Sequence, residues 1–296
     1  MNAAIHATSA PSTAQSPSHW AAPVTELNRP ARIIDVDALR TLMTQEETLI
    51  VDVRTPEQCV DGHIPGAVML PYAQLVASDG KAGGLLPDID SLEALFTSIG
   101  LTTESRVVAY DDDTGSHASR LLWTLDALGH HNHSLLNGGF AAWDDAELPV
   151  AEHPSLPQPG EFFASPDDSV IADVERMLDT IHNADVVLLD ARTELEYVGE
   201  DVRAARGGHI PGAINFDYTL AIDLVEDGKV QRADVIRDLL NARGITPDHE
   251  IIVYCQTHHR SSHTYQVLKD LGFPRVRAYP GSWSEWGNRD DLPVEV

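Results

Sequence analysis

The hexapeptide Gly62-His63-Ile64-Pro65-Gly66-Ala67 recurs unchanged as Gly208-His209-Ile210-Pro211-Gly212-Ala213, and its flanks recur with it in the same order. Leu49-Ile50-Val51-Asp52-Val53-Arg54 corresponds to Val187-Leu188-Leu189-Asp190-Ala191-Arg192, each an apolar run ending in Asp-x-Arg. Val107-Val108-Ala109-Tyr110-Asp111 corresponds to Ile251-Ile252-Val253-Tyr254-Cys255, and Gly138 to Trp143 corresponds to Gly281 to Trp286. An ordered repeat of this kind confines the chain to two copies of one plan. Its 296 residues also suit two domains better than one. The expected units are residues 29–150 and 165–296, joined by a linker at 151–164 that carries Pro154, Pro157 and Pro159. Residues 1–28 are rich in Ala, Ser, Pro and Thr, with neither a basic start nor a continuous apolar core. They read as a disordered extension rather than a signal or transit peptide.

Within each unit, β-branched runs near 48–53, 106–110, 185–190 and 250–254 read as buried strands. Helical spacing follows at Ser91 to Ile99, Ser116 to Leu128, Asp168 to Ile181, Ala233 to Arg243 and Ser261 to Leu271. Alternation of strand and helix predicts an α/β fold with two tandem domains, each a mostly parallel sheet flanked by helices. In such sheets the ligand sits at the carboxyl ends of the strands.

Cys255 occupies that position. It closes an apolar run and opens the polar stretch Gln256-Thr257-His258-His259-Arg260-Ser261 before the next helix. Backbone N–H groups and the positive helix end converge there, and Arg260 with two histidines adds cationic character, so the loop favours a thiolate and an anionic substrate. A buried structural cysteine is the bland alternative, but it has no use for a charged loop. The first unit has Asp111 at the matching position, followed by Asp112, Asp113, Thr114 and Gly115. An aspartate cannot supply a thiolate, and adjacent carboxylates would repel an anionic substrate, so the first unit is expected to be silent and the second active.

The acidic balance, 46 Asp and Glu against 20 Lys and Arg, gives a net charge of -26 and argues against nucleic-acid binding or docking on an anionic membrane. It also makes His258, His259 and Arg260 a positive island. Cys59 and Cys255 are the only cysteines, so no disulfide framework is implied and a reducing, cytoplasmic setting is the default. No apolar run approaches a membrane span.

These motifs resemble the rhodanese family, and more closely its two-domain sulfurtransferases in which only the C-terminal copy keeps the cysteine. The resemblance rests on the Asp-x-Arg after a strand, the Gly-His-Ile-Pro-Gly-Ala turn in both halves, the loop from Cys255 to Arg260 and the ending Gly281-Ser282-Trp283-Ser284-Glu285-Trp286-Gly287. It covers nearly everything from residue 29 onward. It implies that the Cys255 thiolate takes the outer sulfur of thiosulfate as a persulfide and hands it to cyanide or a thiol, with no metal or organic cofactor. Some two-domain members carry an extra arginine shortly after Asp-x-Arg, where this chain has Glu194 and Glu196. Cationic duty would then fall on His258, His259 and Arg260.

Arg260, His258, His259, Gln256, Thr257 and Arg192 are the candidate substrate-binding residues around the catalytic Cys255. For Arg192 the duplicate Arg54 in the silent half argues for a mainly structural pairing with Asp190. The two loop histidines could equally be proton donors or plain loop residues. Ligand type alone would permit zinc on Cys255, His258, His259 and His263, but a metal would consume the nucleophile, so none is expected. His130, His131 and His133 read as a solvated turn, Cys59 as a bystander, and Trp283 and Trp286 as core and domain-interface aromatics. The rival enzyme readings are a 3-mercaptopyruvate sulfurtransferase and a cysteine phosphatase or arsenate reductase. The phosphatase loop is Cys-x5-Arg, whereas four residues separate Cys255 from Arg260 here. A persulfide carrier is the non-enzyme reading, and a monomer is the simplest expectation.

Overall fold

The computed structural model describes residues 30–112, 114–152, 155–225 and 228–296. The expected N-terminal extension, Asp113 and Pro154 lie outside them. In the first half the strands are β1 (Ile33–Ile34), β2 (Thr48–Asp52), β3 (Val68–Met69), β4 (Arg106–Tyr110) and β5 (His133–Leu136). They form one parallel sheet in the order β1-β5-β4-β2-β3, flanked by α1 (Val36–Leu42), α2 (Pro56–Asp61), α3 (Ile89–Ser98), α4 (Ser116–Ala127) and α5 (Gly139–Asp145).

The second half repeats the plan. Its strands β6 (Val186–Asp190) and β7 (Ile214–Asn215) precede a small antiparallel pair, β8 (Ile222–Asp223) and β9 (Lys229–Val230). With β10 (Glu250–Tyr254) and β11 (Val276–Ala278) the parallel sheet runs β11-β10-β6-β7. Its helices are α6 (Val174–Thr180), α7 (Glu194–Tyr197), α8 (Ala233–Asn241), α9 (Arg260–Asp270) and α10 (Ser282–Trp286). Registers match between halves: Ile50 faces Val108 across β2 and β4, and Leu188 faces Ile252 across β6 and β10. The apolar runs are continuous because helices cover both faces of each sheet.

The repeated motifs have structural jobs. Thr55 and Thr193 open α2 and α7 with reciprocal caps to Gln58 and Glu196. In both Asp-x-Arg motifs the arginine is buried on the aspartate: Arg54 on Asp52 at 2.7 Å and Arg192 on Asp190 at 2.6 Å. Each second guanidinium nitrogen also holds the carbonyl that starts the repeated turn, Gly62 at 2.6 Å and Gly208 at 2.8 Å.

Two local expectations are corrected. The helix expected from Asp168 begins only at Val174, because Asp173 caps Arg176 N at 2.8 Å and the backbone just before it, at Ala172, pairs with Ala278 beside β11. The triple-histidine segment is no solvated turn. His130 and His133 are buried, and His131 Nδ1 and His133 Nε2 lie 2.7 and 3.0 Å from the Asp126 carboxylate, which also takes Arg32 at 2.6 Å. Burial pushes the His133 imidazole down to about 4. The Pro-bearing stretch is held to the first half through Gly160 N on Thr97 O and through Phe162, which enters that half's core.

The halves meet where α4 packs on α9. Every residue of α4 except His117 is buried, so this helix has no solvent face. Trp123 and Ala127 belong to the same apolar cluster as Ile251, Tyr265 and Leu268 of the second half. Tyr265 donates to Asp126 Oδ2 at 3.2 Å and Trp123 Nε1 to Val170 O at 3.3 Å, tying the two halves further. Trp283 and Trp286 sit in the second half's own core with Tyr279 rather than at the interface. No helix among the described residues is long and apolar enough to cross a membrane.

Candidate active site

Cys255 leaves the carboxyl end of β10 fully buried. Its N–H donates to Ser282 Oγ at 3.3 Å, and its carbonyl accepts from Trp283 N at 2.9 Å. The loop then turns through His258, whose φ of +57° is left-handed, and enters α9 at Arg260. The N–H groups of Gln256, Thr257, His258, Arg260 and Ser261 donate to no acceptor among the described residues. Adjacent free N–H groups in such a turn form a concavity for an anion.

The first half gives the control. Thr114, at φ +56°, makes the same left-handed turn. There Asp111 Oδ1 accepts from Gly115 N and Oδ2 from Ala118 N, both at 2.8 Å. The first half thus fills its cradle with its own carboxylate, whereas in the second half Cys255 stands at the matching position.

The loop's electrostatics differ from the expected positive island. His258 is fully buried, with Nδ1 2.7 Å from Ser261 Oγ, Nε2 3.2 Å from Ser262 Oγ and its ring edge-on to Trp123. Burial, with Arg120 and His259 nearby, pushes its imidazole well below the ordinary range, so it is a neutral structural residue and not a substrate cation. Arg192 serves the fold through Nε and Nη2, which Asp190 and Gly208 O take, and its guanidinium lies 4.5 Å from the Trp283 ring.

Arg260 makes a two-pronged pair with Glu196 at 2.6 and 2.9 Å. Burial works against the Glu196 charge, but these bonds hold its carboxyl at about 2. Burial opposes the Arg260 charge too, and Glu196 and Cys255 together raise that guanidinium above its ordinary value. Thr257 Oγ1 lies 3.1 Å from His259 Nδ1, and Gln256 Nε2 donates to Arg203 O at 3.0 Å. Among the described residues no group of His, Cys, Asp and Glu side chains is placed to hold a metal ion.

The first half reaches into this site. Gly83 N and O both engage Ser284 Oγ, at 3.1 and 2.9 Å. Gly84, at φ +76°, lies so close to Thr257 that a Cβ there would stand 2.1 Å from the Thr257 carbonyl. Arg120 of α4 sends Nη1 to His258 O at 3.4 Å. Tyr72 and His117 present rings 6.3 and 5.6 Å from that of His259. Sequence reading missed Glu196, Ser282, Gly84 and Arg120. Only Glu196 left a local sign, as the last member of the Thr193-x-x-Glu196 cap.

Together the fold and the site define a duplicated α/β protein with one self-occupied cradle and one cysteine-bearing cradle. The Rhodanese-like domain model matches residues 35–146 and 173–289. The chain belongs to the rhodanese family. It is 43% identical over 265 residues to a thiosulfate sulfurtransferase of Pseudomonas aeruginosa, covering 89% of this chain and 97% of that protein. An Azotobacter vinelandii thiosulfate sulfurtransferase is 40% identical over 264 residues, with the same coverage. A 3-mercaptopyruvate sulfurtransferase of Escherichia coli is 32% identical over 248 residues, covering 82% and 87%. Among solved structures, the anaerobic ergothioneine biosynthesis enzyme of Chlorobium limicola superposes with a TM-score of 0.82 at 23% identity, over 91% of this chain and 71% of that one.

Proposed function

We propose that this protein transfers sulfane sulfur from thiosulfate to a thiophilic acceptor through a persulfide on Cys255, with the second half as the active domain. One contrast carries the reading: the same cradle is closed by a bonded carboxylate at Asp111 and left with free N–H donors around Cys255. The relatives named above as thiosulfate sulfurtransferases support the donor.

The Cys255 thiolate attacks the outer sulfur of thiosulfate. An S–S bond forms, the original S–S bond breaks, and sulfite leaves with its electron pair. The persulfide anion is held by the loop N–H groups, which act as preorganised donors in a site shielded from water. Cyanide or a thiolate then attacks the outer sulfur and the Cys255 thiolate departs. Arg260 and His259 face the incoming anion, with the Arg260 charge offset by Glu196.

The test is thiocyanate formation from thiosulfate and cyanide by the intact protein and by Cys255→Ala, with intact-mass analysis after thiosulfate treatment. The reading expects turnover and the added mass of one sulfur, both lost in the variant. Turnover that survives in the variant would refute it. The mercaptopyruvate relative makes that donor the second reading; clear preference for it on the same preparation would displace thiosulfate.

A further inference from the structure

Among the described residues the buried arginines other than Arg120 come with carboxylates: Arg32 with Asp126, Arg54 with Asp52, Arg192 with Asp190. Arg120 is the exception. It is fully buried in α4, and among the described residues no carboxylate lies within ion-pair distance. Its Nη1 donates to Gly84 O at 2.8 Å and to His258 O at 3.4 Å, its Nη2 to Leu75 O at 3.3 Å and Leu85 O at 3.1 Å. Its Nε has no partner, and its face lies 4.9 Å from the Trp123 ring. A buried charge held only by carbonyl dipoles is costly unless an anion compensates it.

The missing anion has a natural source. Arg120 holds the carbonyl of His258, three residues after Cys255 and inside the same loop. Through Gly84 it also fixes the first-half segment packed on Thr257. We propose that Arg120 is a positioning residue for the cysteine of the other half: it clamps the loop and supplies the buried positive charge that balances the anion formed on Cys255. The proposal rests on the sulfur-transfer reading for the identity of that anion, first thiolate and then persulfide. Burial lowers the Arg120 guanidinium to about 10, and charge on Tyr72 and then on Cys255 acts in the opposite direction. The silent half is retained, on this view, because it completes the active one.

The test measures iodoacetamide alkylation of Cys255 against pH, with peptide mass assigning the label to Cys255 rather than Cys59. It compares the intact protein, Arg120→Lys, and whichever of Arg120→Gln and Arg120→Met keeps the native circular dichroism spectrum. The neutral variant should move the alkylation midpoint up by about one pH unit, a roughly tenfold slower reaction at neutral pH. Arg120→Lys should stay close to the intact protein. Equal midpoints in all three, or the same displacement in the Lys and neutral variants, would overturn the charge assignment. Thiosulfate treatment of the intact protein is the separate control. Failure of Cys255 to gain a sulfur would sink the sulfur-transfer reading, while the alkylation comparison would still decide the role of Arg120.

Discussion

Replacing Glu196 by Gln keeps the shape of the side chain and removes the charge that Arg260 grips. The carboxyl's ordinary value of 4.5 falls to about 2 here. At about 1.36 kcal/mol per pH unit, the pairing contributes on the order of 3 kcal/mol at neutral pH. Glu196 is fully shielded and the Arg260 side chain is only 12% exposed, so solvent screening removes little of this. The sign follows from the depressed value: the contribution is complete above pH 4.5 and disappears as pH falls through about 2. Urea unfolding of the intact protein and Glu196→Gln at several pH values measures it directly. The gap between them should be about 3 kcal/mol at pH 7 and should close steadily below pH 4.5. A gap that does not depend on pH would refute the ion-pair account and leave only a packing defect. The variant also frees Arg260, so thiosulfate should compete better for it and its KM should fall in the folded protein.

Gly84→Ala should destabilise the protein by about 3 kcal/mol, since its Cβ would meet the Thr257 carbonyl and the backbone is left-handed there. Thermal unfolding together with thiosulfate turnover would check this, and unchanged values for both would contradict the described domain contact. Asp111→Ala should lose roughly 1 kcal/mol through the two N–H bonds it makes at the start of α4, yet keep full turnover. Lost turnover in a folded Asp111→Ala protein would mean that the first cradle takes part in the chemistry.

The strands around the site were legible because each is an unbroken apolar run, and the repeat allowed one half to calibrate the other. Cys255 was legible because a strand exit followed by a polar turn has few structural uses. The charge state of the loop was not. His258 looks cationic beside His259 and Arg260, but it turns inward between Ser261 and Ser262, and no local pattern reports that. Arg260 meets Glu196 64 positions upstream, and Arg120 meets His258 across 138 positions, so both depend on how distant elements pack. The histidines near residue 131 misled because His131 and His133 close on Asp126 of the preceding helix, at the domain junction, where Arg32 joins from 94 positions upstream.

The helix α4 has no solvent face because it serves two cores at once. Cutting the chain between its halves would strip Trp123 and Ala127 from the second core and expose the apolar side of α9. The first half thereby supplies part of the second half's core as well as its own.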